Sequence, residues 1–246
     1  MSEILWSPDQ YSGEASVAVT ATQLDDRIVP SASGRRRILS AWIEFFSTHK
    51  TAIKELHLRS RVPQELLDSL IGQPQLATVH LKWGPYRDIS VLSSLPLLSK
   101  LTLGGATALG SLEPLRDRAS LVDLSVAQGH RITDLSPISS LLNLVDLRFA
   151  GYIGSDKLVR LEDLCWVEPL ATLRSLDLGG ARLVNPDLSP LLRLPRLEEL
   201  RLPLRRQYRA QVFELASTSP AFAELAAEYT AYDAYVSLTR PTPPRG

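Results

Sequence analysis

The sequence predicts an α/β solenoid: a horseshoe of stacked units with a parallel sheet along its concave side, an N-terminal strand-and-helix cap and a C-terminal helical cap. Two observations predict it. The first is a pattern, apolar-x-x-apolar-x-apolar, that occurs seven times, at Ile53/Leu56/Leu58, Leu76/Val79/Leu81, Leu98/Leu101/Leu103, Leu121/Leu124/Val126, Leu144/Leu147/Phe149, Leu173/Leu176/Leu178 and Leu197/Leu200/Leu202. Its first positions are separated by 23, 22, 23, 23, 29 and 24 residues. The second is another register in the gaps, where Asp88-Ile-Ser-Val-Leu92, Ser111-Leu-Glu-Pro-Leu115, Asp134-Leu-Ser-Pro-Ile138, Asp163-Leu-Cys-Trp-Val167 and Asp187-Leu-Ser-Pro-Leu191 align. A period in the twenties gives each unit one short strand and one return segment. No such unit can bury its apolar side alone, so the units must stack.

Composition bounds the function. Hydrophobic residues make up 44% of the chain and charged residues 22%, which suits a soluble protein with a sizeable core. Lys+Arg and Asp+Glu both number 27. A net charge of zero argues against nucleic acid as the main partner, because phosphate binding is driven by clustered positive charge. One cysteine excludes an intrachain disulfide and a cysteine-based zinc site. The start, Met1-Ser-Glu-Ile-Leu-Trp-Ser-Pro, does not read as a signal peptide, and no apolar run reaches membrane-spanning length. A cytoplasmic monomer, off the membrane and without a cofactor, is the expectation.

Residues 1–52 read as the N-terminal cap. Glu3–Trp6 and Ala15–Thr22 are strand-like and separated by the turn residues Ser7-Pro-Asp and Tyr11-Ser-Gly, which suggests a small hairpin. A helix follows over 35–49, where Ile38, Leu39, Trp42, Ile43 and Phe46 fall on one face and cover the first strand of the array. The run Arg35-Arg-Arg37 opposes the dipole at that helix start and calls for acidic neighbours; a solvated helix end explains it without a phosphate ligand.

The array occupies residues 53–204. In its returns, Ser136-Pro137 and Ser189-Pro190 read as a capping serine followed by a proline at the first helical position. Cys165 falls in the serine column and reads as a small filler inside the solenoid, with Trp166 packed beside it on the convex side. The step of 29 marks an insertion at 150–160, whose Tyr152, Ile153, Lys157 and Arg160 can reach over the end of the concave face. After Leu204 the period stops. Residues 205–238 read as a C-terminal cap of two helices, Tyr208–Ser217 and Pro220–Val236, the second with a stripe of Phe222, Leu225, Ala226, Tyr229 and Tyr232. Residues 239–246 read as a disordered tail.

The run Ile132-Thr-Asp-Leu-Ser-Pro-Ile-Ser-Ser-Leu-Leu-Asn-Leu-Val-Asp-Leu147 resembles the short leucine-rich repeat of bacterial internalins, and is similar to repeats of phosphatase-regulating leucine-rich-repeat proteins. The resemblance covers 53–204 and implies the fold; its motif residues are core residues. One position departs from it. The family places asparagine three residues after the last motif leucine, where this chain has Arg61, Gly84, Ala106, Gly129, Tyr152, Ala181 and Arg205. The amide bonds of that ladder must then be made by backbone or water.

In this fold the non-leucine motif positions face outward on the concave side. The third position supplies Glu55, Thr78, Lys100, Asp123, Asp146, Ser175 and Glu199. The fifth supplies His57, His80, Thr102, Ser125, Arg148, Asp177 and Arg201, and the seventh Arg59, Lys82, Gly104, Ala127, Ala150, Gly179 and Pro203. The face is polarised, with His57, Arg59, His80, Lys82, Lys100 and Trp83 early, then Asp123, Asp146 and Asp177. The small seventh-position residues leave a trough. His57, Arg59, His80, Lys82, Trp83, Lys100, Asp123, Asp146, Arg148, Tyr152, Asp177 and Arg201 are the expected contacts to a protein partner. A solvated polar face with no partner competes with this reading, since polar residues belong on any exposed sheet.

Catalytic motifs are missing, with no G-x-x-x-x-G-K-[ST], H-E-x-x-H, G-x-S-x-G or G-x-G-x-x-G. The expected function is therefore non-enzymatic capture of a protein, as by an inhibitor such as a bacterial toxin-immunity protein. The alternatives are a regulatory or scaffolding subunit, as for a phosphatase, or an enzyme using His57, His80 and Glu55. The adjacent histidines also read as half a metal site, lacking a third ligand in their column.

Overall fold

The computed structural model of the protein describes residues 4–27, 29–151 and 157–239. Period-2 alternation turns each motif into a short strand, and the strands stack in parallel. They are β1 (Ile4–Leu5), β2 (Ser16–Val19), β3 (Glu55–Arg61), β4 (Thr78–Trp83), β5 (Lys100–Leu103), β6 (Asp123–Ala127), β7 (Asp146–Ala150), β8 (Val159–Leu161), β9 (Ser175–Asp177), β10 (Ala181–Leu183) and β11 (Glu199–Arg201). Nine of them form one sheet in the order β1-β2-β3-β4-β5-β6-β7-β9-β11, and β8 pairs with β10 in a separate small sheet. At a spacing of about 4.8 Å, the large sheet is roughly 38 Å wide.

Register follows from the leucines. Leu56, Val79, Leu101, Leu124, Leu147, Leu176 and Leu200 pair in sequence across the sheet, and all are buried. A second row, Leu58, Leu81, Leu103, Val126 and Phe149, runs beside it in the same register. Slipping any strand by one residue would turn its leucines to water, so burial fixes the alignment.

The expected N-terminal hairpin is replaced by something more regular. β1 and β2 are parallel, and β2 joins β3 with Val17 opposite Leu56 and Val19 opposite Leu58. The sheet therefore starts two strands earlier than the seven-fold pattern shows, and the return between β2 and β3 is α1 (Ala32–Thr48). Trp42 and Phe46 of α1 are fully buried, and Gln73 donates to the carbonyls of Phe46 and His49, tying α1 to the next return. Ser31 caps α1 through the Gly34 amide, and Arg35 pairs with Asp26, the acidic neighbour that the arginine run requires.

The remaining returns are short: α2 (Gln64–Asp68) running into a 3₁₀ turn, α3 (Ser136–Ser139), and 3₁₀ turns at Ser90–Ser94, Glu113–Leu115, Cys165–Val167 and Ser189–Arg193. Their starts are secured by aspartate, two residues ahead of the serine that sequence suggested. Asp88, Asp134, Asp163 and Asp187 accept from the backbone N–H of Ser90, Ser136, Cys165 and Ser189 at 2.8–2.9 Å. Ser111 does the same for Glu113 at 3.1 Å. The serine hydroxyls of Ser90, Ser136 and Ser189 donate to the same carboxylates. A carboxylate reaches back to an amide two residues on more readily than a short hydroxyl does, which makes this an Asx turn. Cys165 is exposed, correcting the expectation of a filler inside the solenoid; Trp166 packs edge-on against Phe149.

Backbone bonds join neighbouring coils at the strand ends, close to the positions where the family has asparagine. Val62 donates to the Trp83 carbonyl, Ala106 to that of Ala127 and Leu178 to that of Arg201, each at 2.8 Å. The Tyr86 hydroxyl, buried, donates to the Gly104 carbonyl at 2.7 Å. Such bonds need adjacent coils to touch. A Cβ on Gly84 would lie 2.1 Å from the Val62 oxygen, and one on Gly104 2.1 Å from the Lys82 oxygen.

The C-terminal end is closed by α4 (Arg206–Leu215) and α5 (Ala223–Thr239), joined through a 3₁₀ turn at Pro220–Phe222. Phe222, Leu225 and Tyr229 are buried, whereas Tyr232 is exposed. The Tyr229 hydroxyl donates to the Arg205 carbonyl and accepts from the Arg205 amide. Residues 240–246 of the expected tail lie outside the described residues.

Candidate functional site

Each strand of the large sheet turns its non-leucine side chains to the side away from the core, so register alone assembles a face. One column runs Ser16, Glu55, Thr78, Lys100, Asp123, Asp146, Ser175 and Glu199. The next runs Ala18, His57, His80, Thr102, Ser125, Arg148, Asp177 and Arg201. Lys82 follows His80 at the end of its strand, and Trp83 lies past a register shift, opposite Arg61. Arg59, Lys82, Lys100, Asp146, Arg148 and Arg201 are exposed, while His57, His80, Asp123 and Asp177 are half-buried. Tyr152 lies outside the described residues.

At the early end, His57 Nε2 sits 2.7 Å from Glu55 Oε1, and the Ser16 hydroxyl donates to the other carboxylate oxygen at 3.0 Å. These bonds hold the Glu55 carboxyl below its usual range. The rings of His57 and His80 lie 5.4 Å apart. Burial, then the charges of His57 and Arg59, lowers the His80 pKa below its ordinary value. Ser16, Glu55 and His57 form a short hydrogen-bonded chain across β2 and β3, and the His80 ring on β4 lies beside it. Ser16, on a strand outside the seven-fold pattern, was missed by sequence reasoning, although Ser16-Val-Ala-Val repeats the polar–apolar alternation of the motif strands.

The middle is acidic. Asp123 and Asp146 are register partners on β6 and β7. Burial first, and Asp146 second, push the Asp123 carboxyl above its usual range, against the pull of Lys100 and Arg148. Arg148 reaches Asp177 on the next strand at 3.4 Å, and Asp177 also accepts from the Gly179 amide at 2.8 Å. Beside this pair is a hollow of about 370 Å³ lined by Arg148, Ala150, Gly151, Leu158, Asp177, Gly179 and Gly180. The expected trough is therefore local to β7 and β9. Gly104 is buried under the neighbouring coil and has no part in it.

The insertion contributes an element that sequence did not suggest. β8 and β10 pair with Val159 opposite Ala181, Arg160 opposite Arg182 and Leu161 opposite Leu183. The only hint was the apolar-x-apolar spacing of Val159/Leu161 and Ala181/Leu183, too short to distinguish from a loop. Among the described residues, no three His, Cys, Asp or Glu side chains come together as a metal site. No described helix is long and apolar enough to cross a membrane.

No protein-family model matches the chain, and no characterised protein matches it by sequence. Among solved structures, internalin C2 of Listeria monocytogenes superposes with a TM-score of 0.54 at 21% identity, over 73% of this chain and 72% of that one. The internalin inlF of the same organism superposes with a TM-score of 0.44 at 20% identity, over 70% of this chain and 65% of that one. The chain has the leucine-rich-repeat fold in its short, internalin-like form.

Proposed function

We propose that the protein is a non-enzymatic binding module that holds a protein partner on the outward face of its large sheet. The observation that carries this reading is the pairing of Asp123 with Asp146 on adjacent strands. Two neighbouring carboxylates, one half-buried and raised in pKa, destabilise the free protein, and a cationic side chain from a partner would relieve that. Arg59, Lys82 and Lys100 at the early end suit an acidic region of the same partner, so the face reads a charge pattern and fixes one docking direction. A preformed sheet loses little entropy when it binds, which favours occlusion of the partner, as an inhibitor such as a toxin-immunity protein would act. That finer role rests on the preformed charged face, whose rigidity suits occlusion.

The test is affinity capture by wild type against two charge-reversed variants, Lys82→Glu/Arg148→Glu and Asp123→Lys/Asp146→Lys. A partner held by the wild type should be lost from both, with circular dichroism unchanged. Equal recovery from well-folded variants would remove the assignment of this face. A toxin encoded in the adjacent reading frame, inhibited in its own assay by the wild type alone, would identify the role.

A further inference from the structure

We propose that the groove between β10 and the start of α4 is a second ligand site, built for a phosphate monoester. It encloses about 690 Å³ and is lined by Arg160, Arg182, Arg205, Gln207 and the apolar Leu158, Leu183 and Val184. Among the described residues no acidic side chain lines it. Its position is set by the small sheet, whose register places Arg160 directly beside Arg182. Residues paired this way stand about 4.8 Å apart at the backbone and project to one face, so both guanidiniums are within reach of one ligand in the groove.

Among the described residues only part of that charge is met. Arg160 contacts Glu162 at 2.9 Å, with both side chains about two-thirds exposed. Among the described residues Arg182 and Arg205 enter no ion pair. The Arg205 Nε is shut away from water and has no hydrogen-bond acceptor. Arg205 is also the N-cap residue of α4, a ten-residue helix, so the positive end of that helix adds to the field.

The ligand chemistry follows from the donors. Guanidinium forks match the spacing of oxygens on carboxylate or phosphate. A single carboxylate offers two oxygens and one negative charge to three arginines. A phosphate monoester offers three terminal oxygens and a charge of about −1.5 to −2 at neutral pH, enough to bridge Arg160 and Arg182 and still accept from Arg205. Leu158, Leu183 and Val184 would take the carbon skeleton that carries the ester. Leu158 also borders the hollow beside Arg148, so the two sites are neighbours with separate chemistry.

The experiment is calorimetric titration of the full chain with inorganic phosphate, with a phosphoserine peptide and with the same peptide unphosphorylated. Saturable binding of the phosphate-bearing ligands is expected, weakened at least tenfold in Arg182→Gln and abolished in Arg182→Gln/Arg205→Gln. Arg182 is exposed, so its variant keeps the fold even where the double variant does not. Lys82→Glu/Arg148→Glu should bind phosphate as wild type does, which separates this site from the proposed partner face. A phosphopeptide at least tenfold tighter than inorganic phosphate identifies a phosphorylated protein segment as the source; equal affinity identifies a small free phosphate compound. Absence of saturable phosphate binding, or binding unchanged in Arg182→Gln, would overturn the proposal.

Discussion

Between β6 and β7, Asp123 and Asp146 face each other while Leu124 and Leu147 beside them are buried. Neighbouring residues on one strand thus pull stability in opposite directions. Asp123 titrates above its ordinary value in the folded chain, so the folded state holds its proton more tightly than the unfolded state does. Its contribution therefore declines as pH rises from the unfolded carboxylate value, near 3.9, through the raised one, and remains unfavourable at pH 7. Asp123→Asn should stabilise the protein at pH 7 by up to about 1 kcal/mol, with solvent screening keeping the gain small. The gain should vanish below about pH 3.5, where the carboxyl is protonated in both states. Urea denaturation at the two pH values measures it, and equal effects at both would contradict the electrostatic cause. At this scale the face was legible beforehand, because a period of two leaves no choice about which residues point outward once the leucines are buried. The shift at Asp123 was not legible, because it depends on how deeply that one carboxylate sits.

The return segments show the same division at the scale of elements. The five aligned turns were visible in sequence, but the capping group was assigned to the wrong residue. Ser136 and Ser189 resemble helix caps in any short window, and only the fold shows Asp134 and Asp187 accepting their amides. This has a pH consequence. Hydrogen bonds from Ser90 and Ser136 hold the carboxyls of Asp88 and Asp134 below their ordinary values. Depressed carboxyls stabilise the fold above the unfolded value, near 3.9, and that contribution is lost as pH falls through the folded values. Acid should therefore loosen the returns before the sheet. Asp88→Asn/Asp134→Asn keeps an acceptor in each turn while removing the titration, and should flatten the fall of the urea midpoint below about pH 4. An unchanged slope would mean that other carboxyls dominate. The helical ends were legible from their apolar stripes. β1 and β2 were legible as strands but not as members of the array, since α1 stretches the unit to 39 residues between Val17 and Leu56, outside the repeat period; β8 and β10 were not legible, and the three-residue β8 is a strand only because β10 lies beside it.

At the scale of the whole molecule, each coil contacts only its neighbours, so stability is close to a sum over adjacent pairs. Leu124→Ala, in the middle of the row of buried leucines, should cost about 2–5 kcal/mol. Truncation after Arg205 is the complementary test. It would strip α4 and α5 from the last coil and bare Leu200 and Leu202, so hydrogen exchange should quicken first in β11 and β9 while β4 to β6 stay protected. Uniform loss of protection would mean that the array unfolds as one block. The contacts at Gly84 and Gly104 bear on how such a molecule diversifies. There main chain meets main chain with no side chain between, so the pitch of the winding is set by peptide groups, which substitution leaves in place. Outward letters can then be exchanged from one descendant to the next while the ruler beneath them keeps its graduations, and a new visitor can be recognised without redrawing the frame.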